Sequence, residues 1–483
     1  MAALSGYYRD SYQPGFRPIA GNHWVAHLLL LTTFAYVLFE ERFTIGDNTG
    51  GRGALQPLDL LVPLVWLLVF LGLGGIPGPR LLRSNRRGLF WVPYAALTVV
   101  LPILGVVLES EPPRTMYTSI HGVIEVSFIL FGAWAAFSVA SVRRLARWYA
   151  WIAIVLECLV ALIDYLNKTG LYPTAFGKFL LQSNIESEGA LGEFTTITWR
   201  CVGTFVNPND LGFWSVVAFW ISALLFRGLF RFTGIIAALF TLVLSQSRGS
   251  LISLLATAVV WVAYVALSRD TRLRKARDAT YLSAVCFVLT VGWAGGALSQ
   301  SNGVAVSDKF SVVDRFERGL DVLTEGAGAD SNASARVAAW HRAMDFYYDH
   351  PRGTWVSPRL KFHLYIDNEY VKTLLQGSIP YLFALLLVIS CSLWRIMRPG
   401  PVPRLTAMIV VTAAVNGMSA YPFAYPAIGV FWILLGYDLA QERIRMEADA
   451  WVNSRLAAAI LTSSTRQAEG FQGERTSTEL EYF

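Results

Sequence analysis

Apolar runs long enough to cross a lipid bilayer recur along almost the whole of this chain. A helix that crosses about 30 Å of hydrocarbon needs roughly 17–25 predominantly apolar residues. In 483 residues we read about twelve such runs, at about 22–40, 58–76, 89–108, 119–141, 148–165, 205–226, 230–246, 250–268, 280–299, 368–394, 405–420 and 424–440. Inside a bilayer the backbone must satisfy its own polar groups, which a helix does. The expected fold is therefore an all-α polytopic membrane protein with about 12 transmembrane helices. The composition agrees, being 54% hydrophobic and 15% charged, too apolar for a soluble domain of this size. Residues 1–22 are polar and aromatic, without a basic stretch leading into a short apolar core. The first run is thus expected to anchor the chain and not to be cleaved.

The net charge of +6 is not a sign of nucleic-acid binding, because the basic residues fall where membrane topology wants them. With a cytoplasmic amino terminus, 17 Arg and Lys lie in the inside turns, among them Arg80, Arg83, Arg143, Arg144, Arg269, Arg272, Arg395 and Arg398. The short outside turns carry 4, namely Arg42, Arg52, Arg114 and Arg248. This asymmetry sets the orientation. The four cysteines (Cys158, Cys201, Cys286, Cys391) are far apart and show no metal-ligand spacing. They read as small apolar packing residues.

The runs divide the chain. Residues 1–299 hold nine spans and an outer loop at about 166–204. Residues 300–367 form a larger outer loop, 368–440 hold three more spans, and 441–483 are a cytoplasmic tail, partly disordered. The large loop contains an amphipathic helix from Ala333 to Tyr348, with Val337, Trp340, Met344 and Tyr347 on one stripe. Gly326-Ala327-Gly328 and Pro351-Arg352-Gly353 mark its limits. A loop this long usually carries function. There is no internal repeat, which weakens transporter readings based on repeat symmetry.

Three elements meet on the outer face. The first is Arg200, followed by Gly203-Thr204-Phe205-Val206-Asn207-Pro208-Asn209-Asp210-Leu211-Gly212, where Pro208 opens a span and Asn209 or Asp210 is the candidate cap. A helix amino terminus offers backbone N–H groups to an anion. The second is Ser247-Arg248-Gly249-Ser250, a turn that places Arg248 outside, against the topology bias. Guanidinium matches phosphate oxygens bidentately at any pH; the plainer reading is an arginine snorkelling to head groups. The third is the large loop, with Arg336, Trp340, His341, His350, Arg352, Arg359, His363 and Asp367, leading to Asn368-Glu369-Tyr370 at the start of the tenth span. An imidazole near a carboxylate suits acid–base work, although Asp367-Asn368 would also cap the span.

In order, spacing and placement, Arg200…Gly203-Thr204-Phe205…Asn207-Pro208-Asn209…Gly212, Ser247-Arg248-Gly249, Arg336…Trp340…His350-Pro351…Gly353 and Asp367-Asn368-Glu369-Tyr370 resemble the O-antigen polymerase and O-antigen ligase superfamily. The resemblance covers about residues 195–395. It implies a GT-C-like glycosyltransferase of a bacterial inner membrane, with its active site facing the periplasm. It further implies a cavity open to the outside under the 300–367 loop. The donor would be an undecaprenyl-pyrophosphate-linked glycan and the acceptor a second lipid-linked glycan, with membrane lipids around both. The reaction would invert the anomeric centre without a metal or other cofactor. A chain-length regulator and a flippase are the expected protein partners.

Under that resemblance Arg248, Arg336 and Arg200 would hold the pyrophosphate. Asp367 would accept the acceptor proton or orient His363 to do so, and Trp340, Tyr370, Asn368 and Asn209 would line the glycan site. Ligases of the superfamily tend to carry His-Asn where this chain has Asp367-Asn368, followed by Gly-x-x-Gly where it has Gly377-Ser378-Ile379-Pro380-Tyr381. That departure favours a polymerase over a ligase. A lipid-linked glycan flippase is a rival, because Glu125, Glu157 and Asp164 fall inside spans; they also read as polar glue between helices. A non-catalytic scaffold of a polysaccharide assembly is the third reading.

Overall fold

The computed structural model describes residues 23–39, 57–72, 89–109, 117–137, 140–168, 200–205, 207–268, 331–356, 358, 366–446, 449–450 and 453–454. The described residues are helical, with short 3-10 turns and no strand. The helices are α1 (His23–Phe39), α2 (Pro57–Gly72), α3 (Val92–Glu109), α4 (Tyr117–Phe137), α5 (Ala140–Lys168), α6 (Pro208–Leu225), α7 (Gly228–Ser245) and α8 (Arg248–Leu267). They continue with α9 (Ser331–Asp349), α10 (Glu369–Trp394), α11 (Pro401–Asn416) and α12 (429–446). The expected ninth span, 280–299, and His363 lie outside the described residues.

Among the described residues, four segments are long and apolar enough to cross a membrane: Val142–Asn167, Gly228–Ser245, Arg248–Leu267 and Glu369–Met397. Shorter apolar helices accompany them, including Ala26–Phe39, Val92–Leu108 and Pro401–Asn416. Their outward faces are apolar as well. Leu64, Phe232 and Val259 are each more than half exposed, which lipid tolerates and water does not. The chain is an integral membrane protein.

Helix limits differ from the hydropathy runs where local chemistry overrides hydropathy. The run at 405–420 is the helix Pro401–Asn416, which opens on a proline. The run at 424–440 starts late. Pro422 and Pro426 each open a 3-10 turn, so residues 421–428 precede the helix, which begins at 429. Hydropathy cannot see this, because these turns are as apolar as the helix they precede.

Glycine sets the tightest packing. A Cβ on Gly132 of α4 would lie 1.8 Å from the Ile433 carbonyl oxygen, and one on Gly436 of α12 would lie 1.9 Å from that of Ile129. The two backbones touch, as small residues allow between membrane helices. At the carboxyl end of α10, Arg395 and Arg398 bind Asp438 and Glu442 of α12. The Arg395–Asp438 pair is buried. At its other end α10 meets the candidate site. Between the two ends α10 is broken at Gly377 and Ser378, which are non-helical, with Pro380 just beyond.

Candidate functional site

The segment carrying Arg200 is held by two carboxylates of α5. Glu157 and Asp164 are seven residues apart, hence on one helix face, and neither is exposed to any degree. Asp164 accepts the Val202 N–H at 2.8 Å and Glu157 accepts the Thr204 N–H at 2.9 Å. The Thr204 hydroxyl donates to the second Glu157 oxygen. Gly203 between them has φ +59°, and a Cβ there would sit 1.9 Å from Glu157 Oε1. Only glycine fits both the backbone and the space. These two intramembrane acids therefore bind backbone amides of a neighbouring segment.

From this clamp Arg200 reaches the carboxyl end of α7 and the start of α6. Its Nε donates to the Ser245 carbonyl at 3.1 Å, and a terminal nitrogen donates to Asn209 Oδ1 at 2.8 Å. Ser247 Oγ donates to the same Asn209 oxygen at 3.3 Å. Asn209 is thus a junction and not the cap expected from the sequence. Asn207 caps α6, accepting the Asn209 N–H at 2.8 Å, because Pro208 already fills the first helical position.

The expected turn at 247–250 is shorter than it reads. Gln246, at φ 49°, ends α7 in the left-handed conformation, and Ser247 caps α8. Arg248 is therefore the first residue of a helix, half-buried. Ser247 and Ser250 hydroxyls are 2.9 Å apart, and Asn416 Nδ2 donates to Ser250 Oγ at 3.0 Å. Added Cβ atoms on Gly212 and Gly249 would meet Ser247 Cβ at 2.5 Å and Ser419 Oγ at 2.6 Å. Two helix amino termini and the carboxyl end of α11 thus converge on Arg200 and Arg248. The partial positive charge of both amino termini adds to that of the arginines.

The third element joins at the same α11 end. Asn368 caps α10, its oxygen accepting the Tyr370 and Val371 N–H groups, while its Nδ2 donates to the Met418 carbonyl at 3.3 Å. The Tyr370 hydroxyl donates to the Ala414 carbonyl at 2.6 Å, and the Glu369 N–H to that of Gly417 at 2.8 Å. Buried Glu369 pairs with Lys372 and accepts the Phe423 N–H. The polar atoms of Asn368 and Tyr370 are therefore engaged within the protein.

Asp367, one residue before the cap, pairs with Arg336 of α9 at 3.3 Å. Helix α9 spans Ser331–Asp349, two residues earlier and one later than expected. Its apolar stripe packs Trp340, Ala343, Phe346 and Tyr347 against Ile366, Val371 and Leu375. Ala343 and Phe346 join the expected Trp340 and Tyr347 on it.

Two further acidic or phenolic groups lie at this end: Asp210, expected as a candidate cap, and Tyr425, which escapes a sequence reading. Asp210 is buried in the first turn of α6. Tyr425, in the turns before α12, has its phenol pushed up by burial and then by the Asp210 carboxylate, with a further contribution from Asp367. Burial and the Asp210 carboxylate thus keep the Tyr425 phenol protonated. No motif marks it, since it lies far along the chain in an apolar run. Among the described residues, no group of three His, Cys, Asp or Glu side chains is arranged to hold a metal ion.

These features define a helical integral membrane protein with a polar, arginine-bearing site where three helix starts meet. Residues 233–381 match the family model described as O-antigen ligase. That match supports the O-antigen ligase and polymerase superfamily for this chain, and with it a membrane glycan-handling function. The matched residues include Arg248, Arg336, Trp340, Asp367, Asn368 and Tyr370, whereas Arg200 and Asn209 precede them. A comparison with curated proteins finds no match.

Proposed function

We propose that the protein is a metal-independent, inverting glycosyltransferase that polymerises undecaprenyl-pyrophosphate-linked repeat units into O-antigen, capsule or exopolysaccharide. It works in a bacterial inner membrane with twelve spans, cytoplasmic termini and the amino ends of α6, α8 and α10 facing the periplasm. The loop-charge asymmetry supports that orientation. The observation that carries the chemistry is the Arg336–Asp367 pair at 3.3 Å.

In the reaction a sugar hydroxyl of the acceptor attacks the anomeric carbon of the donor. The carbon–oxygen bond to pyrophosphate breaks, and undecaprenyl pyrophosphate leaves with the electron pair. In an inverting displacement the hydroxyl enters opposite the leaving group. Base and leaving-group cations therefore lie on opposite sides of the sugar. A carboxylate paired with Arg336 belongs on the acceptor side, which takes Arg336 away from the pyrophosphate role expected of it; Arg336 aims Asp367, and Asp367 takes the hydroxyl proton directly or orients His363 to do so. Arg248 at the start of α8, with Arg200 behind it, belongs on the pyrophosphate side, where preorganised cations stabilise the developing charge. Trp340, Tyr370, Asn368 and Asn209 shape the glycan site, the last two chiefly by fixing the helix ends.

The test is release of undecaprenyl pyrophosphate from a synthetic lipid-linked oligosaccharide by purified protein in nanodiscs. Release with concomitant glycosidic bond formation is expected. Its absence with every acceptor supplied sinks the proposal. The matched family description favours one second reading, a ligase that transfers the same donor glycan to lipid A core.

A further inference from the structure

Helix α10 is broken a third of the way along, and the break is occupied. Gly377 and Ser378 leave the helical conformation, and Pro380 has no N–H to offer the Gln376 carbonyl. The Leu375 and Gln376 carbonyls accept instead from the backbone N–H groups of Thr354 and Trp355, at 2.7 and 2.9 Å. Gly353, at φ +89°, permits this approach: a Cβ would lie 2.9 Å from the Gln376 oxygen. The segment that follows α9 is thereby stitched into the gap in α10.

Ser378 is the strained member. At φ 58° and ψ −161° it occupies a region that is essentially reserved for glycine. Its hydroxyl donates to the Pro351 carbonyl at 2.7 Å and lies 2.9 Å from the Tyr347 hydroxyl. Pro351 follows α9, and Tyr347 belongs to its last turns. Ser378 is thus the one side chain of the break that grips α9, the helix bearing Arg336, while Asp367 is fixed to the start of α10 through the cap next to it.

We propose that Ser378 is a positioning residue, holding α9 on the broken α10 through Tyr347 and Pro351 so that Arg336 stays opposite Asp367. Its consequence for turnover rests on the glycosyl-transfer reading; the geometric claim does not. The experiment replaces Cys158, Cys201, Cys286 and Cys391, introduces Arg336→Cys and Asp367→Cys, and measures the cross-linking rate with a short bifunctional methanethiosulfonate in nanodiscs. Ser378→Ala removes the hydroxyl and keeps the strain; Ser378→Gly removes both; Tyr347→Phe removes one hydrogen bond. Loss of one hydrogen bond corresponds to about a fivefold population shift, so each variant should cross-link about fivefold or more slowly. Ser378→Gly should do so with a melting temperature no lower than that of Ser378→Ala, which separates positioning from folding. In the protein with Arg336 and Asp367 intact, Ser378→Ala should lower kcat with KM for the donor within about twofold, as expected for a group that acts only in the transition state. Unchanged cross-linking in Ser378→Ala and Ser378→Gly overturns the proposal, even if activity falls. Slower cross-linking in a protein that forms no glycosidic bond supports the joint and removes only the glycosyl-transfer reading.

Discussion

Arg336 of α9 reaches Asp367, the residue before the cap of α10, at 3.3 Å. Both side chains are partly solvated, at 36% and 20% relative exposure, and ion pairs of this kind add little stability. The cap itself is Asn368. Asp367→Asn should therefore fold and insert normally while activity falls by about a hundredfold, the scale of positioned acid–base catalysis. Near-normal turnover from Asp367→Asn, measured with lipid-linked donor and acceptor, would remove Asp367 from the chemistry. His363→Ala in the same assay decides which group takes the proton, since a larger loss there makes Asp367 the orienter.

Arg248 tests the pyrophosphate side. Its charge is held at the first position of a helix whose cap is Ser247, so the side chain is not needed for the cap. Arg248→Ala should reduce turnover by about a hundredfold or more, as for a lost transition-state donor. Arg248→Lys should recover part of it, since an ammonium lacks the planar fork. Normal product ladders from Arg248→Ala would leave it a snorkelling arginine.

Much of this frame was legible in the sequence. Apolar runs gave helices in the described regions, Ser247-Arg248 and Asp367-Asn368 lie at helix starts beside the end of α11, and Arg336 lies on α9 against Asp367. What was not legible depends on atoms far apart in the chain. Nothing near Arg336 announces Asp367 as its partner. Nothing near Tyr425 points to Asp210, because burial and opposing carboxylates arise only after packing. The α6 cap is Asn207 and not Asn209 or Asp210 for a local reason: Pro208 takes the first helical position, which sets the cap one residue before it.

Glu157 and Asp164 distinguish a clamp from a transport path. Each accepts backbone N–H groups of residues 202–204 while fully buried. Glu157→Leu and Asp164→Leu strip the acceptors and leave buried amides unsatisfied, costing about 1–3 kcal/mol each. Melting of the detergent-solubilised protein should fall accordingly, and activity should drop with it as Arg200 loses its anchor. A path-lining acid predicts the opposite pattern, loss of function with unchanged melting.

The glycine contact between α4 and α12 makes a prediction about assembly. Gly132→Val would drive a side chain into the Ile433 carbonyl, which is backbone and cannot swing aside. Overpacking of this kind costs about 1–3 kcal/mol or more. The variant should be recovered in lower yield and should melt earlier, whereas a wild-type melting curve would show that these two backbones do not touch.

Polymerase and ligase part company at the acceptor. Both would hold the pyrophosphate of the same donor through Arg248 and Arg200, so no variant of those two arginines separates them. The departure from the ligase pattern lies at Asp367-Asn368, ahead of α10. A carboxylate in place of an imidazole changes what the acceptor side presents to the incoming hydroxyl. The assay therefore supplies lipid-linked repeat units alone and follows chain length. Growth of longer lipid-linked chains without lipid A core is the expected result. Turnover only after lipid A core is added establishes the ligase. Asp367→His then serves as the converse arm: in a polymerase it should depress chain growth, whereas in a ligase it restores the residue that ligases of the superfamily tend to carry and should be tolerated. The same reactions run in EDTA should be unimpaired, and loss of activity there would revive a metal-dependent mechanism.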